Sequence, residues 1–174
     1  KYGSGFIVSR NGHVVTNQHV IDVEGEYVYL RTYDGTNYRA RVIKSDPELD
    51  LALLRIVSAA PREFPAVSIG NSDDVQAGDP VTVIGNPLGA RFEHSILTGI
   101  ISGVNRGSGL LQLSVPTYSG ISGSPVFDRE GIVIGVMVSS PSFFDNQFLE
   151  VGKELTEVAT IRVAESIGLA IPIN

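Results

Sequence analysis

Three side-chain types in this chain could share one reaction: a serine hydroxyl, an imidazole and a carboxylate. Ser122 lies in Tyr118-Ser119-Gly120-Ile121-Ser122-Gly123-Ser124-Pro125. The glycines permit a tight turn that holds the hydroxyl away from the backbone, with neighbouring N–H groups facing whatever it attacks. A serine hydroxyl is a poor nucleophile at neutral pH. It needs a base to take its proton, and the base needs a partner to fix its tautomer and stabilise its cation. All three histidines precede Ser122. His19, in Thr16-Asn17-Gln18-His19-Val20-Ile21, follows a strand-like run through a polar approach and is the best base. His13 falls inside a predicted strand, and His94 sits among Arg91, Glu93 and Ser95; both read as ordinary edge or surface residues. Asp50 leads straight into Leu51-Ala52-Leu53-Leu54. A carboxylate at the mouth of a buried strand loses water and must be paired, and an imidazole N–H would pair it. Asp46 precedes Pro47 and reads as turn punctuation.

The elements that must position these groups have the texture of a β protein. Short runs rich in Val, Ile, Leu and Tyr alternate with Gly, Asn, Asp and Pro breaks. Phe6-Ile7-Val8 and His13-Val14-Val15-Thr16 flank Asn11-Gly12, a hairpin signal. Further strands are expected at 27–33, 38–44, 51–56, 81–84, 96–104, 110–115, 126–127, 132–138 and 169–173. Residues 61–78 read as the seam between two halves; Glu150 to Val163 reads either as one amphipathic helix or as strands around Lys153, and a long hairpin or irregular loop is the expectation for residues 143–165. At 174 residues the chain is long enough to bury about 70% of its unfolded surface without a metal or disulfide.

Composition narrows the function classes. No cysteine is present, which excludes a thiol nucleophile, a zinc–thiolate site and a disulfide framework. A net charge of −6 with scattered Lys and Arg argues against nucleic acid and against a membrane-surface patch. No apolar run approaches the roughly 20 residues a membrane-spanning helix needs. No cofactor is expected, since the zinc-protease, P-loop and dinucleotide motifs are all missing. The chain starts at Lys1 without a visible signal peptide, and a trimmed piece of something longer is the expectation.

Chain order separates the possible architectures. A hydrolase with the order Ser, acid, His is excluded for this nucleophile because no histidine follows Ser122. The order Asp, His, Ser would require His94 and an α/β fold. The order His, Asp, Ser fits His19, Asp50, Ser122 and a strand-rich chain. Five stretches then carry a family resemblance: Gly3-Ser4-Gly5-Phe6-Ile7-Val8; Val15-Thr16-Asn17-Gln18-His19-Val20; Ser45-Asp46-Pro47 through Asp50-Leu51-Ala52-Leu53-Leu54; Gly85-Asn86-Pro87-Leu88-Gly89 with Leu97-Thr98-Gly99-Ile100-Ile101-Ser102; and Gly120 to Pro125 with Gly168-Leu169-Ala170-Ile171-Pro172. In this order they resemble the catalytic domain of HtrA/Deg serine proteases, of chymotrypsin-like fold.

The resemblance implies an all-β domain of two packed six-stranded antiparallel barrels, roughly 1–65 and 78–174, with the active site in the cleft between them. His19 and Asp50 would come from the first barrel and Ser122 from the second. The backbone N–H groups of Gly120 and Ser122 would form the oxyanion hole. It implies a serine endopeptidase acting on unfolded or flexible polypeptides, outside the cytoplasm or in an organelle. A homotrimer and a PDZ domain would be supplied by segments outside this chain. Pro116 stands where a trypsin-like pocket carries an acid, so cleavage after Lys or Arg is not expected; Pro116, Thr117 and Ile167 would line a small apolar S1 pocket. Two residues depart from the family's Gly-Asn-Ser-Gly-Gly-Pro. Ile121 removes a polar side chain that could brace the oxyanion turn, and Ser124 adds a Cβ that is costly if φ is positive. These departures motivate an alternative, a protease-fold chaperone or binding module with a collapsed or gated oxyanion hole.

Overall fold

A computed structural model describes residues 2–21, 27–88, 92–105, 109–138 and 168–173. In the first half, β1 (Phe6–Ile7) and β2 (His13–Thr16) pair antiparallel. Gly12, at φ +78°, closes their turn by donating to the Ser9 carbonyl at 3.0 Å. β3 (Tyr27–Arg31) and β4 (Asn37–Asp46) form a second hairpin, and β5 (Leu51–Val57) joins β2 to β4. The resulting sheet has five strands in the order β1-β2-β5-β4-β3. Alternation sets its inner face: Ala52, Leu54 and Ile56 of β5 point into a core with Val14, Ala40 and Phe64.

The expected first barrel of six strands is therefore a five-stranded sheet among the described residues. Its edges are the two-residue β1 and β3, which turns Tyr27, Tyr29 and Arg31 to solvent.

The second half closes. β6 (Pro80–Gly85), β7 (Ser95–Asn105), β8 (Leu110–Leu113), β9 (Pro125–Phe127), β10 (Val133–Val138) and β11 (Gly168–Pro172) form a six-stranded barrel, in the order β10-β11-β8-β7-β6-β9. Its interior holds Val83, Ile101, Leu113, Val126, Ile134 and Met137. β10 is buried along its whole length. One face fills the barrel through Ile134 and Met137; the other, through Val133 and Val136, packs on Phe6 of β1. Burial on both faces explains why its sequence reads as a continuous apolar run.

Residues 61–78 connect the halves and bond to both. The Val67 N–H donates to the Ile7 carbonyl at 3.0 Å, and the Gly70 N–H to the Val133 carbonyl at 2.9 Å. The architecture is all-β and chymotrypsin-like. The expected hairpin or loop over residues 143–165 lies outside the described residues.

Candidate active site

His19 lies in a short 3-10 turn, Gln18–Ile21, directly after β2. Asp50 immediately precedes β5, the neighbour of β2 in the sheet, so strand pairing brings the two segments together and the 3-10 turn carries His19 back onto Asp50. The carboxylate of Asp50 is fully buried and grips His19 twice. Oδ2 lies 2.7 Å from His19 Nδ1, and Oδ1 accepts the His19 backbone N–H at 3.0 Å. A carboxylate only accepts hydrogen bonds, so Nδ1 carries a proton, and in the neutral ring Nε2 is then the nitrogen with the lone pair. The Asp50 carbonyl is used as well, accepting from the Gln18 N–H at 3.1 Å and from Asn17 Nδ2 at 3.0 Å. This closure places Asp50 at φ +50°, a left-handed conformation in which aspartate is enriched among non-glycine residues.

Ser122 occupies a turn between β8 and β9 and is 3% exposed. The turn needs glycine at two points. Gly120 sits at φ +97° and Gly123 at +85°. A Cβ on Gly123 would stand 2.1 Å from the Ser4 carbonyl oxygen and 2.5 Å from Thr16 Oγ1. Gly123 thus lies flush against the end of β2, three residues before His19. This contact seats the Ser122 turn of the barrel on the His19 side of the first sheet. The Ser4 N–H adds a direct link, donating to the Ser122 carbonyl at 2.8 Å.

The carbonyls that lead into Ser122 are committed inside the protein. The Tyr118 carbonyl accepts from the Ile121 N–H at 3.1 Å, and the Ser119 carbonyl from the Leu88 N–H at 2.7 Å. The Gly120 carbonyl accepts from the buried Ser4 hydroxyl at 2.8 Å. Among the described residues the Gly120 N–H donates no hydrogen bond.

The two departures in the turn are accommodated. Ile121 is fully buried in the barrel core, so it anchors the turn through packing where a polar side chain is absent. Ser124 does not have positive φ, so the expected Cβ cost does not arise. Its buried hydroxyl lies against Gly85, where a Cβ would approach Ser124 Oγ to 2.0 Å. A glycine at 85 makes the room that a glycine at 124 would otherwise make.

Pro116 and Thr117 are half-buried on the segment running from β8 into the Ser122 turn. Ile167 lies outside the described residues. His13, the first residue of β2, bonds Ser9 Oγ at 2.7 Å across the β1–β2 turn, and the exposed His94 ring meets Tyr33 edge-on. Neither joins the His19–Asp50 pair. Sequence reasoning missed the residues that hold the turn from behind: Ser4, Asn86 and Leu88. Their types carry no local signal, because each acts on a residue about 30 to 120 positions away.

Residues 3–136 match the trypsin-like peptidase domain family. A probable periplasmic serine endoprotease DegP-like from Pseudomonas fluorescens is 36% identical over 140 residues, which are 77% of this chain and 28% of that protein. One of the same description from Brucella suis is 38% identical over 148 residues, 80% of this chain and 28% of that protein. The chain thus spans well under a third of the length of these curated relatives. The solved structure of the HtrA-type protease AlgW with decapeptide superposes with a TM-score of 0.74 at 30% identity, covering 98% of this chain and 47% of that one. With a chymotrypsin-like barrel, a buried Asp50 bonded to a half-buried His19, and a Gly-rich serine turn packed on the end of β2, the chain belongs to the trypsin-like peptidase domain family.

Proposed function

We propose that this chain is the catalytic domain of an HtrA-type serine endopeptidase, with Ser122 as nucleophile, His19 as general base and Asp50 as the group that orients His19. The observation that carries this reading is the double grip of the buried Asp50 carboxylate on His19, at 2.7 Å to Nδ1 and 3.0 Å to the backbone N–H. It leaves one imidazole nitrogen as a base of fixed orientation.

In the reaction, Ser122 Oγ attacks the carbonyl carbon of the scissile peptide and its proton passes to His19 Nε2. The C=O π pair moves onto oxygen, and the resulting oxyanion accepts from the N–H groups of Gly120 and Ser122. Such fixed donors are worth about 3 kcal/mol each in the barrier. The intermediate collapses, the C–N bond breaks, and His19 returns the proton to the leaving amine. Water, deprotonated by His19, then cleaves the acyl ester and restores the Ser122 hydroxyl. The engaged carbonyls of Tyr118, Ser119 and Gly120 favour this reading over a collapsed hole, which would require a carbonyl turned into it.

Substrates on this reading are unfolded or flexible polypeptide segments docking as an added strand along the cleft. Pro116 and Thr117, half-buried on the approach to the Ser122 turn, would line the S1 pocket on this reading and favour small apolar residues. The naming of relatives as periplasmic endoproteases and the peptide in the AlgW structure support a peptide-cleaving role outside the cytoplasm. Trimerisation and a PDZ domain would reside in segments beyond this sequence.

A fluorophosphonate should label Ser122, detected by intact mass and peptide mapping, and the protein should degrade unfolded casein. Ser122→Ala should abolish both. Casein binding without any adduct on Ser122 would sink this assignment in favour of a chaperone on the protease fold.

A further inference from the structure

The residue with the widest control over the serine turn lies outside it. Ser4 is buried at the start of the first sheet, and the structure bonds all of its polar groups. Its N–H donates to the Ser122 carbonyl at 2.8 Å, and its carbonyl accepts from Thr16 Oγ1 at 2.6 Å. Its hydroxyl accepts from the Asn86 N–H at 3.0 Å and from Asn86 Nδ2 at 3.3 Å, and lies 2.8 Å from the Gly120 carbonyl oxygen. A hydroxyl has one hydrogen and two lone pairs. With two donors from Asn86 occupying the lone pairs, the hydrogen must go to Gly120. The Asn86 amide cannot flip to reverse this, because its Oδ1 already accepts the His94 N–H at 3.0 Å.

Ser4 therefore holds the peptides that follow Gly120 and Ser122, and so limits backbone rotation at the two residues whose N–H groups serve the oxyanion in the proposed reaction. Gly120 is the residue most in need of this, since glycine at φ +97° has no side chain to restrict it. Ile121 between them contributes only packing.

We infer that Ser4 is a positioning residue for catalysis: its hydroxyl, given a single direction by Asn86, fixes the Gly120–Ile121 peptide, which lies between the two peptides that carry the Gly120 and Ser122 N–H groups, so that the oxyanion donors are in place before substrate arrives. The inference rests on Ser122 being the nucleophile. It gives the chain a polar brace from the first sheet where the turn itself carries the apolar Ile121.

The test compares Ser4→Ala and Asn86→Asp with the unaltered protein. A carboxylate at 86 accepts the Ser4 hydrogen and draws it away from Gly120, with no cavity made. Readouts are kcat and KM on a fluorogenic peptide, the inhibition constant of a peptidyl aldehyde whose tetrahedral adduct uses the oxyanion hole, thermal unfolding, and amide exchange over residues 120–124. Ser4→Ala should lose about 10- to 100-fold in kcat and in aldehyde affinity, with KM within about twofold. Asn86→Asp should show the same split at smaller size, and exchange of the Ile121 and Ser124 amides should quicken in both. Should Ser4→Ala fail to fold, Asn86→Asp decides. Unchanged kcat and aldehyde affinity in the folded variants, or equal losses in kcat/KM and in folded fraction, would overturn the role of Ser4. Absence of Ser122-dependent turnover in the unaltered protein sinks the triad assignment instead; the exchange measurement still decides whether Ser4 holds the turn.

Discussion

Asp50 combines full burial, a left-handed backbone and four incoming hydrogen bonds, two of them from His19. A group so completely committed responds to a single-atom change. Asparagine tolerates the same backbone conformation, so Asp50→Asn should fold. Its side chain, however, has one accepting oxygen for the two His19 donors. The amide NH2 then faces one of them and favours the tautomer with Nε2 protonated, which is useless as a base. We expect kcat to fall by about 10⁴-fold with little change in thermal unfolding. Retention of more than a tenth of the rate would remove Asp50 from the mechanism. The assignment of Asp50 and His19 as candidates was legible in sequence, because a carboxylate opening an apolar strand is conspicuous. The grip on the His19 backbone N–H was not, since it depends on how far the 3-10 turn brings that N–H back.

At the scale of elements, the β3–β4 hairpin is held by a polar turn. Asp34 accepts from the Thr32 hydroxyl at 2.6 Å and from the Thr36 N–H at 3.0 Å, and Arg62 lies 3.5 Å away. The Thr32 hydrogen bond, then those of Thr36, lower the Asp34 carboxyl from 3.8 to about 2. A carboxylate with a depressed folded-state pKa stabilises the fold above its unfolded value, and that contribution is lost as pH falls through the folded one. Between pH 4 and pH 2 the hairpin should therefore loosen, visible as faster amide exchange at Gly35 and Thr36. In Asp34→Asn the turn should lose this pH dependence; a pH response identical to that of the unaltered protein would show that another group titrates. The turn itself was legible as Asp34-Gly35 in sequence. That the first sheet has five strands among the described residues was not, and neither was the end of β1 at Ile7, since Phe6-Ile7-Val8 reads as one run.

For the molecule as a whole, the cleft depends on how the sheet and the barrel meet. Phe6 packs with Val133 and Val136, and Val15, Leu51, Val67 and Phe127 surround them. This cluster lies two residues from Ser4 on β1. Phe6→Ala should destabilise the protein by about 3–5 kcal/mol in urea unfolding, a typical cost for an emptied aromatic site. A loss below about 1 kcal/mol would mean that the halves are joined mainly by the hydrogen-bonded segment over residues 61–78.

By itself, the amino-acid sequence determined the strand-rich architecture, the order His19, Asp50, Ser122 and the resemblance those stretches carry. These follow from local chemistry: alternation, turn residues, and a polar group at the mouth of an apolar strand. Only the tertiary structure decided how the serine turn is held. Ile121 and Ser124 read as weaknesses while the turn was considered alone. In the fold, Ile121 fills the barrel core, Gly85 makes room for Ser124, and Ser4 supplies the missing polar brace from 116 residues away. Long-range hydrogen bonds and close approach between distant backbones leave no periodicity or local composition for a sequence to display.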